Sequence, residues 1–244
     1  MNMKEVTIFT DGASRGNPGP GGWAAVTVFP DAHGVMHVDE LGGREALTTN
    51  NRMEMMAALK SLQHFDGFYE NFKEVTFTIF TDSSYLLNGA TKWVFGWVKN
   101  NWKTGKEEVK NRDIWEGILK AMEGKHITWK LLKGHSGVPG NERCDVISTE
   151  FADEKDVELY KGTLSAYGIK YVMNTSVLPV SQTKKKSSSS EKAYSYVSLV
   201  DGNIETHTNW GDCEKRVKGA SKARFKKSFS KEDEAAIIAD FLQK

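Results

Sequence analysis

The sequence predicts a mixed α/β domain followed by a small α+β unit. Three observations carry this. Short apolar runs separated by glycine-rich turns open the chain, helical patterns and two more strand-like runs follow them, and a lysine- and serine-rich stretch then sets off a final segment of about fifty residues.

The elements follow in order. Val6–Asp11 is a short apolar strand running into a glycine-rich turn from Gly12 to Gly22. Trp23–Phe29 is a second strand. Met36–Glu45 is a third, with Gly42-Gly43 marking a bulge or a close approach. Their short intervals predict an antiparallel meander. Asn51–Phe65 is rich in Met, Ala and Leu and reads as a helix. Val75–Asp82 is a strand, Ser84–Asn88, Trp93–Lys99 and Asp113–Met122 are helical, Ile127–Leu132 is a fifth strand, and Asn141–Phe151 closes the domain as a helix.

Beyond residue 152 the periodicity fades. Leu159, Tyr160, Leu164, Tyr167, Ile169, Tyr171 and Val172 give residues 153–180 the look of a tail packed partly on the first domain. The polar run Thr183–Glu191 reads as a linker. Tyr194–Val200, a turn at Asp201-Gly202-Asn203, Ile204–His207 and helices at Trp210–Val217 and Lys231–Leu242 make up the second unit. The expected organisation is therefore 1–152, a tail and linker at 153–192, and a second domain at 193–244.

The chain of 244 residues carries a formal net charge of +1, so whole-chain charge points neither toward nor away from a polyanionic partner. Cys144 and Cys213 lie far apart without metal-ligand spacing, which argues against a disulfide framework and against zinc. No signal-peptide pattern and no membrane-spanning apolar run are present, and a cytoplasmic protein is expected.

The sequence Ile-Phe-Thr-Asp occurs twice, at Ile8–Asp11 and Ile79–Asp82, each time at a strand end. Neighbouring strands would deliver both carboxylates to one end of the sheet. Two acids that close repel, and a divalent cation is the usual remedy. Glu54 and Asp145, each near the start of a helix, complete a set of hard oxygen donors suited to Mg²⁺ or Mn²⁺. Read singly, each residue has a plainer role as well. Asn51-Arg52-Met53-Glu54 fits a capping box, Asp11 and Asp82 fit turn aspartates, and Asp145 fits a helix-dipole partner.

Four motifs decide between these readings. They are Thr10-Asp11-Gly12-Ala13-Ser14-Arg15-Gly16-Asn17-Pro18-Gly19-Pro20-Gly21-Gly22-Trp23, Thr48-Thr49-Asn50-Asn51-Arg52-Met53-Glu54, Thr81-Asp82-Ser83, and Lys133-Gly134-His135-Ser136-Gly137 with Asn141-Glu142-Arg143-Cys144-Asp145. In this order they resemble bacterial ribonuclease H of type 1, from about Val6 to Ala152. The resemblance implies a five-stranded mixed sheet with helices on both faces. It also implies a catalytic and metal-binding set of Asp11, Glu54, Asp82 and Asp145, with His135 assisting proton transfer or product release. The implied reaction is hydrolysis of the RNA strand of RNA–DNA hybrids with two Mg²⁺ ions, Mn²⁺ substituting, leaving 5′-phosphate and 3′-hydroxyl ends. No organic cofactor, membrane or obligate protein partner is implied, and a monomer is expected.

Substrate recognition follows from the same resemblance. Gly12, Ser14, Asn17 and Asn50 are positioned to read the 2′-hydroxyls that mark RNA. Thr49 and Asn51 resemble contacts to the DNA strand. The segment from Trp93 to Lys106, basic with interleaved tryptophans, resembles the family's protrusion beside the cut site; Trp97 and Lys99 are its best contacts, while Trp93 and Trp115 read as core anchors.

The last fifty residues resemble the hybrid-binding domain of eukaryotic-type ribonucleases H, through Tyr196, Trp210, Cys213, Val217-Lys218-Gly219 and Ala223–Phe229. Tyr196, Trp210 and Phe225 would stack on DNA sugars, and Lys226 and Lys227 would bind phosphate. Two departures stand out. The unit follows the catalytic domain instead of preceding it, and Ser228 interrupts the usual Arg-Phe-Lys-Lys-Phe run. Arg224, Lys226 and Lys227 have no acidic neighbour in sequence before Glu232. The alternatives to this reading are a hybrid-binding protein without catalysis, against which the intact carboxylates argue, and a DNA-cutting enzyme on the same sheet, against which the recognition segments argue.

Overall fold

The computed structural model describes residues 3–69, 71–134, 136–175, 193–220 and 223–242. The chain folds as two compact units, 1–180 and 181–244, taken separately below.

In the first unit β1 (Lys4–Ser14), β2 (Gly19–Pro30) and β3 (Met36–Thr48) form the antiparallel meander. Helix α1 (Asn50–Gln63) follows, and β4 (Val75–Thr81) then pairs parallel with β1. Helices α2 (Ser84–Asn88) and α3 (Val94–Lys99) are joined by a wider helical turn at Gly89–Trp93. A small hairpin of β5 (Lys103–Thr104) and β6 (Glu107–Glu108) precedes α4 (Arg112–Met122). Strand β7 (His126–Leu131) pairs parallel with β4, α5 (Pro139–Ala152) crosses back, and β8 (Lys161–Thr163) ends the series. The sheet order is β7-β4-β1-β2-β3-β8.

All five expected strands are present, and the tail adds a sixth. β8 pairs antiparallel with β3 through His37, Val38 and Asp39, closing an edge that would otherwise expose unpaired backbone groups. A three-residue strand carries no period, so the sequence could not announce it. The other expectation that shifts is the turn after Asp11. Gly12, Ala13 and Ser14 continue β1 in register with Trp23, Gly22 and Gly21, which confines the turn to residues 15–18.

Strand alternation sorts the core into two layers. Val6, Ile8, Phe77 and Ile79 pack with α1 and α4, including the fully buried Trp115. Phe9, Val26, Phe80 and Val38 pack with Cys144 and Ile147 of α5 and, from the tail, Val172. Tyr160, Leu164, Tyr167 and Ile169 lie against this second layer. The tail therefore covers the same face of the sheet as α5.

In the second unit β9 (Ser195–Val200) lies between β10 (Asn203–His207) and β11 (Arg224–Ser228), all antiparallel. Helices α6 (Trp210–Val217) and α7 (Lys231–Leu242) complete it. Its apolar centre is small: Val197, Ile237 and Phe241, with Leu199, Ile204 and Ile238 packed around them. Both cysteines of the chain are free and buried.

Candidate active site and nucleic-acid interface

The repeated tetrapeptide explains the first two acids. Ile8, Phe9 and Thr10 stand in register with Ile79, Phe80 and Thr81 on adjacent parallel strands, so Asp11 and Asp82 follow at the same sheet end. Glu54 arrives from the first turn and a half of α1. This helix approaches β1 closely because residue 12 has no side chain: a Cβ on Gly12 would sit 2.3 Å from the Glu54 backbone nitrogen. Asp145 comes from α5, which covers the face on which Phe9 and Cys144 pack.

Together Asp11, Glu54, Asp82 and Asp145 line one cavity of about 430 Å³, with Gly12, Ala13, Ser14, Arg15, Asn50 and Thr149. The plainer roles do not account for this. Thr49, not Asn51, caps α1, accepting from the Arg52 amide, and Glu54 bonds side chains instead: Asn50 Nδ2 donates to it at 2.8 Å and Ser83 Oγ donates to its other oxygen. Asp11 accepts from the Gly12 amide at 2.7 Å while lying within a continuous strand.

The electrostatics are those of an acid cluster short of countercharge. Burial, and after it the Asp82 carboxylate, pushes Asp11 up to about 8 against the Gly12 amide. Burial also pushes Glu54 up to about 7, although the Ser83 and Asn50 bonds oppose it. Near neutral pH these groups therefore give up their protons reluctantly unless a cation compensates them.

The donor set fits divalent cations. Every candidate ligand is a hard carboxylate oxygen, and the buried Asn141 Oδ1 has no hydrogen-bond partner among the described residues, while Asn141 Nδ2 lies 3.5 Å from Asp82. Among the described residues no three His, Cys, Asp or Glu side chains converge tightly enough to hold an ion as they stand.

Of the recognition residues expected from sequence, Gly12, Ser14 and Asn50 line the cavity, whereas Asn17, Thr49, Asn51, Trp97 and Lys99 do not. Asn17, Asn51 and Lys99 are exposed. Trp97 is half-buried between Trp93 and Trp115, with ring centroids 5.9 and 5.7 Å away. Trp115 is the core anchor expected, but Trp93 is 40% exposed and Phe95 53%, so these two are the freer aromatic faces of the segment from Trp93 to Lys106. Trp93 ends the wide turn at Gly89–Trp93 and packs on Tyr85 and Trp97, with ring centroids 6.0 and 5.9 Å away. His135 lies outside the described residues. Side chains that sequence reasoning missed are Ser83, which positions Glu54, Asn141, which touches Asp82, and Arg15. Their positions inside the motifs were the available signal.

In the second unit Tyr196, Trp210 and Phe225 form a ladder, with Trp210 5.6 Å from Tyr196 and 5.2 Å from Phe225, centroid to centroid. Trp210 is 39% and Phe225 49% exposed. Lys227 pairs in register with Tyr196 and extends over Phe229, 4.7 Å from its centroid. One expectation is corrected. Arg224 and Lys226 do have an acidic partner: both reach Asp240 of α7, at 3.2 and 3.4 Å. The helix folds back over β11, so an acid distant in sequence becomes adjacent. Ser228 is also explained. It is fully buried, its Oγ 2.6 Å from Ser195 Oγ, and Ser195 in turn donates to Glu234, while Phe229 is left 49% exposed.

Comparison with known proteins agrees with this layout. A family profile described as RNase H matches residues 3–153, and one described as the ribonuclease H1 N-terminal domain matches residues 206–237. The ribonuclease H of Chromohalobacter salexigens is 45% identical over 154 residues, covering 63% of this chain and 87% of that protein. The ribonuclease H of Hydrogenovibrio crunogenus is 44% identical over 153 residues, covering 62% and 98%. A crystal structure of a type 1 RNase H with the type 2 active-site motif shares the fold, with a TM-score of 0.58 at 23% identity over 66% of this chain and 79% of that one. The family generally uses divalent metal ions. This chain belongs to the ribonuclease H family, as an enzyme of that class that also carries the ribonuclease H1 N-terminal type of domain in its C-terminal unit.

Proposed function

We propose that the chain hydrolyses the RNA strand of RNA–DNA hybrids at the cavity lined by Asp11, Glu54, Asp82 and Asp145, with Mg²⁺ as the working ion. The observation that carries this is the convergence of these four acids, from β1, α1, the end of β4 and α5, on one cavity inside a ribonuclease H domain. Divalent ions held there would supply Lewis-acid activation of water and charge relief for the leaving oxygen.

The chain's own residues do the rest. Asp11, Glu54, Asp82 and Asp145 hold the ions. Ser83 and Asn50 fix the Glu54 carboxylate, and Asn141 steadies Asp82. Gly12, Ser14 and Asn50 meet the RNA strand, where backbone and amide groups can bond the 2′-hydroxyl. The exposed ring ladder of the second unit, with Lys227, binds the hybrid independently, so attachment through both units raises the effective concentration of substrate. His135 assists proton transfer or product release, and the enzyme works as a monomer in the cytoplasm.

The test is cleavage of an end-labelled hybrid in Mg²⁺ by wild type beside Asp11→Asn, with duplex RNA, duplex DNA and single strands as controls. Metal-dependent cutting confined to the hybrid and lost in Asp11→Asn supports the proposal. Hybrid binding without cutting in Mg²⁺ or Mn²⁺ overturns it.

A further inference from the structure

The cavity that holds the four carboxylates is lined by one basic side chain among the described residues, Arg15. It sits in the short turn between β1 and β2, whose backbone is closed by the Arg15 amide donating to Pro20 O at 2.7 Å. The side chain is 45% exposed. Its Nε donates to Asp153, the residue that caps the C-terminal end of α5. Asp153 is itself anchored, its amide donating to the carbonyl of Thr149, another lining residue, at 2.9 Å.

Two physical points give this arrangement a use. A nucleic-acid strand approaching four carboxylates is repelled by them, so a fixed cation at the mouth of the cavity changes the balance for the phosphates that flank the reacting one. An arginine also carries five N–H donors in a rigid fork, and here Nε is the atom engaged, with no other side-chain hydrogen bond from Arg15 among the described residues. The guanidinium is thus held in direction by one carboxylate while retaining donors for an oxyanion.

We infer that Arg15 is a phosphate-binding residue of the catalytic cavity, gripping the backbone of the strand being cut, and that Asp153 is its positioning partner. This rests on the proposed hybrid-cleaving function. Because Asp153 directs the guanidinium without burying it, its own loss is milder than the loss of Arg15.

The experiment uses the full chain and separates charge from fold. Arg15→Gln keeps an amide that can bond Asp153 but loses the charge; Arg15→Lys keeps the charge. For each, KM and kcat on a hybrid are measured, together with the salt dependence of hybrid binding in an Asp82→Asn background with chelator. The expected results for Arg15→Gln are a KM raised about 3–10-fold at low salt, kcat within about 3-fold, and a log-affinity against log-salt slope shallower by about 0.7–0.9, the signature of one lost phosphate contact. Arg15→Lys retains the slope, and Asp153→Asn shifts KM by less than Arg15→Gln does. An unchanged slope in Arg15→Gln overturns the inference, as does a rise in KM that tracks a fall in melting temperature equally in the Gln and Lys variants. If wild type binds hybrids but does not cut them, the slope change still decides the fate of Arg15, while the cleavage reading alone is lost.

Discussion

Arg143 of α5 grips Glu40 of β3 through two hydrogen bonds, Nε to Oε1 at 2.7 Å and Nη2 to Oε2 at 2.8 Å. The same carboxylate accepts from Tyr167 Oη at 2.5 Å and from the Tyr160 amide at 3.0 Å. One buried acid therefore ties α5, a strand and the tail together. Glu40→Ala would leave Arg143 without its countercharge in a half-buried setting, and a loss of about 2–4 kcal/mol is expected, read from urea denaturation at pH 7. Catalysis per folded molecule is expected to change little, because Glu40 lies outside the carboxylate cavity.

The same group sets an acid limit. Burial alone would raise the Glu40 carboxyl, but bonds from Arg143, Tyr167 and the Tyr160 amide outweigh burial and hold it below its ordinary range. The folded state then binds fewer protons than the unfolded one, so this stability is present above the unfolded pKa of about 4.3 and fades as pH falls through the lower folded value. The stability gap between wild type and Glu40→Gln should narrow as pH drops from 5 toward 3. A gap constant over that range would show that the carboxylate's charge is irrelevant to the network.

The tail's role can be tested by length. A chain ended after Ala152 loses β8, the Tyr160 and Tyr167 bonds to Glu40, and the cover that Val172 gives the second core layer. A chain ended after Thr175 keeps all three. The shorter form is expected to melt about 10 °C below the longer one, although the family match itself stops at residue 153. Equal melting temperatures would show that the tail adds nothing to the first unit.

How much of this was legible in advance depends on what each feature leaves in the sequence. The twin Ile-Phe-Thr-Asp motifs were readable because a parallel pair of identical strands places identical residues side by side, as Ile8 with Ile79 and Phe9 with Phe80. Glu54 was locally ambiguous. Its spacing from Asn51 fits a cap, and only the close approach of α1 over Gly12 turns it toward Asp11. The sixth strand was invisible because edge pairing of Lys161–Thr163 is decided by backbone groups of β3, not by its own pattern. Asp240 is not legible as the partner of Arg224 and Lys226, because it stands 16 and 14 residues beyond them and reaches them only where α7 packs on β11. Arg15 was visible as a letter in a glycine-rich motif, but its direction depends on Asp153, 138 residues away.

The clustered carboxylates should weaken the metal-free fold. Burial and then Asp82 raise Asp11 to about 8 in the folded chain, against about 3.9 when unfolded. Between those values the folded state binds more protons, so stability falls as pH rises through the window. In chelator at pH 8, Asp11→Asn should therefore melt about 3–8 °C above wild type, with the advantage shrinking toward pH 5, even as cleavage falls by a factor of about 10³ or more. Adding Mg²⁺ should raise the wild-type melting temperature more than that of Asp11→Asn. A variant less stable than wild type at pH 8 would show that the Asp11 carboxylate is structurally favourable and that its burial is compensated within the chain.

The ladder in the second unit predicts a graded response to alanine. Trp210 contacts both Tyr196 and Phe225, and Asn209 caps the helix that presents it, accepting from the Asp212 amide at 3.0 Å. Trp210→Ala should weaken binding of the full chain to a hybrid roughly 10-fold, within the range for loss of one aromatic stacking platform, while kcat at saturating substrate stays within about 2-fold. Lys226 and Lys227 flank the ladder on β11: Lys226 pairs with Asp240, and Lys227 stands across the strand from Tyr196 and beside Phe229. Lys226→Ala and Lys227→Ala are each expected to flatten the salt dependence of binding, by at most about one phosphate contact apiece. An unchanged salt dependence in both variants would show that the β11 edge makes no phosphate contact and that the ladder binds through its rings alone.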